Sequence, residues 1–409
     1  MELLKVDSLN QTIEKLYNEY QNDDGHIDVE EINVSEALDR VLAQDIASDF
    51  DVPEFDRSVV DGYAVIASDT QGANESIPTF LKIVGESKMG EACDVEIQSG
   101  ECVYVPTGSM LPKNANACVM IEHTENITDD KVAIYESVAE GKSVVKKSDD
   151  IKKGDKILET GRKMTSADIG FLSSIGIYKI RVYKKWNITI ISTGDELVDE
   201  KSEYKFGKIR DINTNLLLSL SKKYGFNVVK TYLLKDDADV LEKTLVSALN
   251  DSDVVVMSGG SSKGKKDASS MVIDKVTSSG VLTHGIAVKP GKPTITGYDK
   301  TTNTIVIGLP GHPVASAVLF KLLVCGMFDR ITKCKKKELV CEGTMSENMP
   351  ASPGRMTFQL VKLDDNFNVI PIFGRSGLIR TLSEADGYIV LETDQEGIRK
   401  GDKIKVYYL

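Results

Sequence analysis

Between Trp186 and Phe328 the chain repeats one pattern: a short run rich in Val and Ile, a glycine or acidic loop, then an amphipathic segment. "WNITIIST", "NVVKTYLL", "DVVVMSGG" and "NTIVIGLPG" read as strands, since β-branched residues dominate runs too short for helices. "DINTNLLLSLSKKYG", "ADVLEKTLVSALN", "SSMVIDKVTSSG" and "HPVASAVLFKLLVCGMF" place apolar residues at helical spacing. Strands alternating with helices predict a mostly parallel sheet covered on both faces, with right-handed crossovers.

A chain of 409 residues exceeds one compact core, and its 41% hydrophobic content suffices for several. The expected fold is multidomain α/β plus β. Residues 1–46 and 141–182 are read as an N-terminal helical or mixed domain, with helical spacing over 8–20 and 33–45. Residues 47–140, with "DGYAVIAS", "TFLKIVGES" and "ECVYVPTGS", are read as an inserted β-rich domain. The central mostly parallel α/β domain takes 183–328, and 329–409 is expected to form a C-terminal β barrel or sandwich. "TSADIGFLSSIG" reads as a helix capped by Thr165 or Ser166. "KKGDKIL" and "RKGDKIKV" echo each other as one turn used twice before a strand.

A net charge of −12 argues against a general nucleic-acid surface, which gains affinity from clustered Lys and Arg. Six cysteines without a CxxC pair argue against a zinc site and fit reduced thiols. His26, His123, His284 and His312 form no ligand motif. No apolar run reaches the ~20 residues of a membrane helix, and "MELLKVDSLNQTIEKLYNEY" lacks signal-peptide character, so a cytoplasmic protein is expected.

Ligands of open α/β sheets sit beyond the carboxyl ends of the strands. There the sequence places Asp195-Glu196, Asp236-Asp237, the loop from Ser258-Gly259-Gly260-Ser261-Ser262 through Lys263-Gly264-Lys265-Lys266 to Asp267, and Leu309-Pro310-Gly311-His312. Lys289 and Lys292 lie just upstream of the last strand. The glycine loop approaches P-loop spacing, but Lys266 stands where Ser or Thr would hold Mg²⁺. Glycines and lysines invite an anion, yet carboxylates repel one by ~4 kcal/mol per pair about 4 Å apart at an effective dielectric of ~20. The mixture therefore points to a phosphorylated ligand bound with a divalent cation such as Mg²⁺.

In order along the chain, "PEFDRSVVDGYAV", "VPTGSMLPKNANACVMIEH", "ISTGDEL", "SGGSSKGKKD", "KPGKPT" and "GLPGHPVASA" resemble the molybdopterin molybdenumtransferases, MoeA-type enzymes related to the C-terminal domain of gephyrin. The resemblance spans about residues 5 to 409 and implies insertion of molybdate (or tungstate) into adenylylated molybdopterin with release of AMP, by a homodimer using a divalent cation. It implies functional roles for Asp61, Thr107, Asp150, Glu196, Asp236, Asp267, Lys289, Arg355 and Ser376. Glu196, Asp236 and Asp267 would handle the metal. Ser258, Gly259, Gly260, Ser262 and Pro310 would contact substrate, and Lys292 would assist Lys289. Where some members carry Lys, Asn and Arg, this chain has Gly285 beside His284, His312, and Val145 before Lys146-Lys147. Two alternatives stand beside this reading: a molybdopterin-binding scaffold without turnover, and a molybdopterin adenylyltransferase-like nucleotide enzyme. The latter resembles only the 183–328 segment.

Overall fold

The computed structural model describes residues 6–22, 26–203, 205–259, 268–335, 339–374 and 377–408. The chain divides into two compact units: residues 1–44, 160–169 and 179–409 form one, and 45–159 with 170–178 the other.

The first unit is built on a six-stranded sheet. Its strands are β1 (Asn187–Thr193), β2 (Asn227–Leu234), β3 (Val254–Gly259), β4 (Val281–His284), β5 (Ile295–Asp299) and β6 (Thr304–Leu309), in the order β2-β1-β3-β6-β5-β4. β2, β1, β3 and β6 run parallel, with Ile190 level with Val256 and Val256 with Ile307. β5 and β4 add an antiparallel edge that the strand–helix alternation did not announce.

Successive side chains point to opposite faces, which explains the unbroken apolar runs. On one face Ile188, Ile190, Val254, Val256, Ile305 and Ile307 pack with Leu9, Leu16 and Tyr20 of the N-terminal helix Leu9–Asn22, and with Val318, Phe320 and Leu323. On the other, Ile191, Val255, Met257 and Val306 meet Leu241, Leu245 and Leu249 of α2 (Ala238–Asp251) and Val272 and Ile273 of α3 (Ala268–Val276). The crossover between β1 and β2 is α1 (Asn213–Lys223).

Five strands of the C-terminal region, Val340–Met345, Met356–Leu363, Asn368–Pro371, Gly387–Leu391 and Lys403–Tyr408, pair into a ring closed by Met356–Leu363 against Gly387–Leu391. Of the two expected forms, the structure is the barrel. Closure gives each of these strands a partner on both sides along part of its length. Its inner residues include Met345, Val361, Val369, Ile389 and Val406, all nearly inaccessible. The short strand Val288–Lys289 joins Met356–Thr357 of the barrel in parallel register.

The second unit holds a six-stranded mixed sheet that includes Gly62–Val65, Thr79–Glu86, Glu101–Val105 and Ala117–Met120, around Tyr63, Leu81, Val119, Val132 and Ile134. Residues 33–45 depart from expectation. Only Val34–Glu36 forms a helical turn, Asp39 takes φ 63°, and Val41 and Leu42 enter β-bridges with Lys163 and Val182. The helical spacing came from residues buried individually; Leu38, counted with them, is 56% exposed.

Candidate active site

The ends of β1 and β2 bring three carboxylates together. Gly194 N–H donates to the Leu234 carbonyl at 3.1 Å, and Asp236 N–H reaches Asp195 Oδ1 at 3.3 Å. Burial pushes the Asp236 carboxyl above the ordinary carboxylate range, and the charges of Asp195 and then Glu196 push it further. Of the expected metal-handling acids, Glu196 and Asp236 therefore sense each other. Asp237 does a different job: its side chain accepts from Asp239 and Val240 N–H and caps α2. Asp195, by contrast, belongs to the acidic group.

A small parallel pair, Leu197–Val198 with Ile209–Arg210, lays a second segment beside these acids. Lys208 Nζ donates to the Asp195 carbonyl at 2.6 Å. Next, Asp211 accepts the N–H groups of Asn213 and Thr214 at the start of α1, and Thr214 bonds Ser192 at 2.9 Å.

Asn213, 7% exposed, links two strand-end loops, donating to Ser258 Oγ at 2.6 Å and the Gly311 carbonyl at 2.8 Å. Its Oδ1, the hydroxyl of Thr193 and the hydroxyl of Ser269 are buried with no hydrogen-bond partner among the described residues. Buried polar groups are normally satisfied. Thr193 ends β1, and Asn213 and Ser269 lie in the first turns of the helices that follow β1 and β3. Gly259 has φ 103°, and a Cβ there would lie 2.1 Å from the Thr193 carbonyl oxygen, so only glycine lets the strands stay this close. Asp211 and Asn213 were not singled out from sequence; "RDINTN" carried the cue as a helix-start pattern at a strand-end crossover.

Lys289 is exposed, and its Nζ donates to Ser352 Oγ at 2.7 Å. The Lys292 carbonyl accepts N–H from Ile286 and Thr294, fixing the loop that holds both lysines. Arg355 is exposed in a turn closed by its own N–H to the Ser352 carbonyl. Pro310 is buried, and Gly377 lies against the His312 ring. Gly260, Ser262, Lys263 to Asp267 and Ser376 lie outside the described residues.

In the second unit Asp61 and Thr107 meet: Thr107 N–H donates to Asp61 Oδ1 at 2.7 Å. Asp150 is exposed, its N–H bonded to the Val52 carbonyl. Among the described residues no group of three His, Cys, Asp or Glu is arranged to hold a metal alone. None of the described helices is long and apolar enough to cross a membrane.

A parallel α/β sheet with carboxylates and paired polar loops at its strand ends, joined to a closed barrel, defines a ligand-binding enzyme of the multidomain α/β class. Three family descriptions match in order. Residues 5–176 match the MoeA N-terminal region (domain I and II), 189–330 the "Probable molybdopterin binding domain", and 342–409 the MoeA C-terminal region (domain IV). The molybdopterin molybdenumtransferase of Haemophilus influenzae is 32% identical, covering 92% of this chain and 93% of its own. That of Staphylococcus epidermidis is 27% identical, covering 93% and 92%. The crystal structure of the molybdopterin biosynthesis moeA protein of Pyrococcus horikoshii superposes with TM-score 0.84 at 30% identity, over 99% of this chain and 100% of that one. The chain belongs to the MoeA family of molybdopterin molybdenumtransferases, enzymes of molybdenum cofactor biosynthesis.

Proposed function

We propose that this chain, as a cytoplasmic homodimer, inserts molybdate into adenylylated molybdopterin and releases AMP. The observation that carries the reading is the crowding of Asp195, Glu196 and Asp236 at strand ends. Such carboxylates oppose a phosphate ligand unless a cation stands between them. The donor set suits a hard cation: oxygens only, with no thiol or imidazole. Glu196 and Asp236, with Asp267 from outside the described residues, would hold Mg²⁺, which when bound supplies positive charge against the phosphates.

The remaining roles belong to side chains and backbone. Ser258, Gly259 and Pro310, at the carboxyl ends of β3 and β6, would contact the substrate, and the unpartnered Thr193, Asn213 and Ser269 atoms would offer it hydrogen bonds. Lys289 and Lys292 attract the oxyanion, and Arg355 adds a fixed cation. Asp61 orders the Thr107 backbone so that this turn presents one geometry to substrate. In the reaction, water adds across the phosphoanhydride, giving AMP and molybdopterin, which keeps its own phosphate. One molybdate oxygen then leaves as water with the two thiol protons as the two sulfurs bind the metal. Stabilising charge at the breaking P–O bond is the main catalytic contribution.

The test is AMP release from adenylylated molybdopterin by purified protein, with and without molybdate or tungstate, in Mg²⁺ and in chelator. AMP formed only with the cation present, and metal found on the dithiolene, supports the reading. Tight molybdopterin binding without AMP would establish the scaffold instead. AMP transfer from ATP to molybdopterin would establish the adenylyltransferase. Sedimentation reads the dimer directly.

A further inference from the structure

Lys289 is a long side chain on the surface, and such a side chain binds an anion more tightly when its conformational freedom is already restricted. The structure supplies that restriction from a distant part of the sequence. Ser352 Oγ accepts from Lys289 Nζ at 2.7 Å, across 63 residues. Ser352 does not sit there by chance of a mobile loop. Ala351 N–H bonds the Glu396 carbonyl at 2.9 Å, and Met356 N–H bonds the Ala287 carbonyl at 3.0 Å. Val288 and Lys289 pair with Met356 and Thr357. The backbone on both sides of Ser352 is thus tied to the barrel and to the segment carrying Lys289.

We infer that Ser352, on the turn that also presents Arg355, is a positioning residue: it holds the Lys289 ammonium in place to attract the oxyanion. The hydroxyl suits this role because it is neutral. A carboxylate at 352 would cancel the lysine's charge, whereas a hydroxyl oxygen orients the ammonium and leaves its charge and two further N–H donors for the anion. Arg355 is placed by the same turn, its N–H closing on the Ser352 carbonyl at 3.1 Å. The role rests on the reading of Lys289 given above.

Two measurements on the full chain separate the inference from that reading. In trace acetylation with acetic anhydride, Lys289 labelling relative to exposed Lys88 should rise at least about twofold in Ser352→Ala and return in Ser352→Thr, since one hydrogen bond of ordinary strength is lost and restored. In AMP release, Ser352→Ala should raise the half-saturating molybdate concentration about threefold to tenfold with kcat little changed. Ser352→Thr should recover it, and Ser352→Ala added to Lys289→Ala should change nothing more. Labelling that is indifferent to Ser352→Ala overturns the placement. Altered labelling with an unaltered molybdate response overturns the positioning role. A wild-type enzyme indifferent to molybdate, or unaffected by Lys289→Ala, overturns the reading of Lys289 and this role with it, while the labelling still decides whether the two side chains meet.

Discussion

Thr107 N–H and the Asp61 carboxylate meet at 2.7 Å although 46 residues separate them. Asp61 immediately precedes the strand Gly62–Val65, and its own carbonyl accepts from Ile121 N–H, so its backbone is fixed before its side chain is used. Asp61→Asn retains an oxygen for Thr107 but removes the charge. We expect stability within about 0.5 kcal/mol of wild type and AMP release reduced by at least about tenfold. Asp61→Ala should in addition lose about 1 kcal/mol in urea denaturation. Wild-type turnover in Asp61→Asn would remove the carboxylate from the mechanism.

Asp236 is held above the ordinary carboxylate range by burial and by the charges of Asp195 and Glu196. A group with a raised folded-state value binds its proton more tightly when folded, so its ionised form at neutral pH works against folding. Replacing Asp236 by Asn should therefore raise the metal-free Tm slightly, by about 1–2 °C. It should also diminish the further rise produced by Mg²⁺. Scanning calorimetry with and without the cation reads both effects. A fall in metal-free Tm would show that the crowding carries no strain.

Asn213 ties the end of β3 to the loop before Pro313 through Ser258 and Gly311. Truncation to Ala removes both bonds in a site only 7% exposed. The expected loss is about 2–3 kcal/mol, from two lost bonds and the acceptors left buried without a donor. Asn213→Asp keeps the shape but puts a negative charge beside the other acids. It should depress substrate affinity more than its stability loss explains. Equal effects of the two variants on affinity would argue that Asn213 only braces the loops.

The α/β sheet was legible because burial on both faces forces unbroken Val and Ile runs, as at Val254–Met257, which lie between two packed layers. The antiparallel edge of β4 and β5 was not, because "VLTH" and "ITGYD" are short and mix polar with apolar residues. Residues 33–45 misled for a related reason: spacing reports which residues are buried, and Asp39 at φ 63° breaks the helix the spacing implied. Of the strand-end acids named from sequence, Glu196 and Asp236 are brought together around Asp195. Asn213 was passed over because a helix-start Asn is ordinarily a cap, and its cross-loop bonds exist only in three dimensions.

Asp168 lies in the helix Ser166–Ser174 and is bound by a fork of Arg162, with Nε at 3.0 Å and an Nη at 2.8 Å, and by Thr165 N–H and hydroxyl. Burial alone would raise its carboxyl, but these donors outweigh burial and hold it below the usual range. A depressed carboxylate contributes stability that is full above its unfolded value of about 4 and fades as pH falls through the lower folded value. The stability gap between wild type and Asp168→Asn should thus stay constant from pH 8 to about 5 and shrink in acid. Chemical denaturation across that range checks it. A gap that widens in acid would mean the carboxylate is raised, not lowered.

The echo between "KKGDKIL" and "RKGDKIKV" is one structure built twice. Asp155 N–H bonds the Lys152 carbonyl and Asp402 N–H the Arg399 carbonyl, while each Asp side chain accepts the N–H of that same first residue, at 3.0 Å and 2.8 Å. Gly154 and Gly401 have φ 93° and 90°, the positive value that the third position of such a turn requires. One turn precedes the strand Lys156–Leu158 in the second unit, and the other precedes a barrel strand in the first. Neither glycine has a neighbour within 4 Å of where a Cβ would stand, so a methyl group meets only backbone strain. Gly154→Ala and Gly401→Ala should each cost about 1–2 kcal/mol, the penalty of placing an L-residue in that region. The double variant should lose the sum, because the turns share no partner. Domain-resolved hydrogen exchange would register each loss in its own unit. A cost in one unit that transfers to the other, or a cost near zero in either, would show that the turns are not held by this conformation.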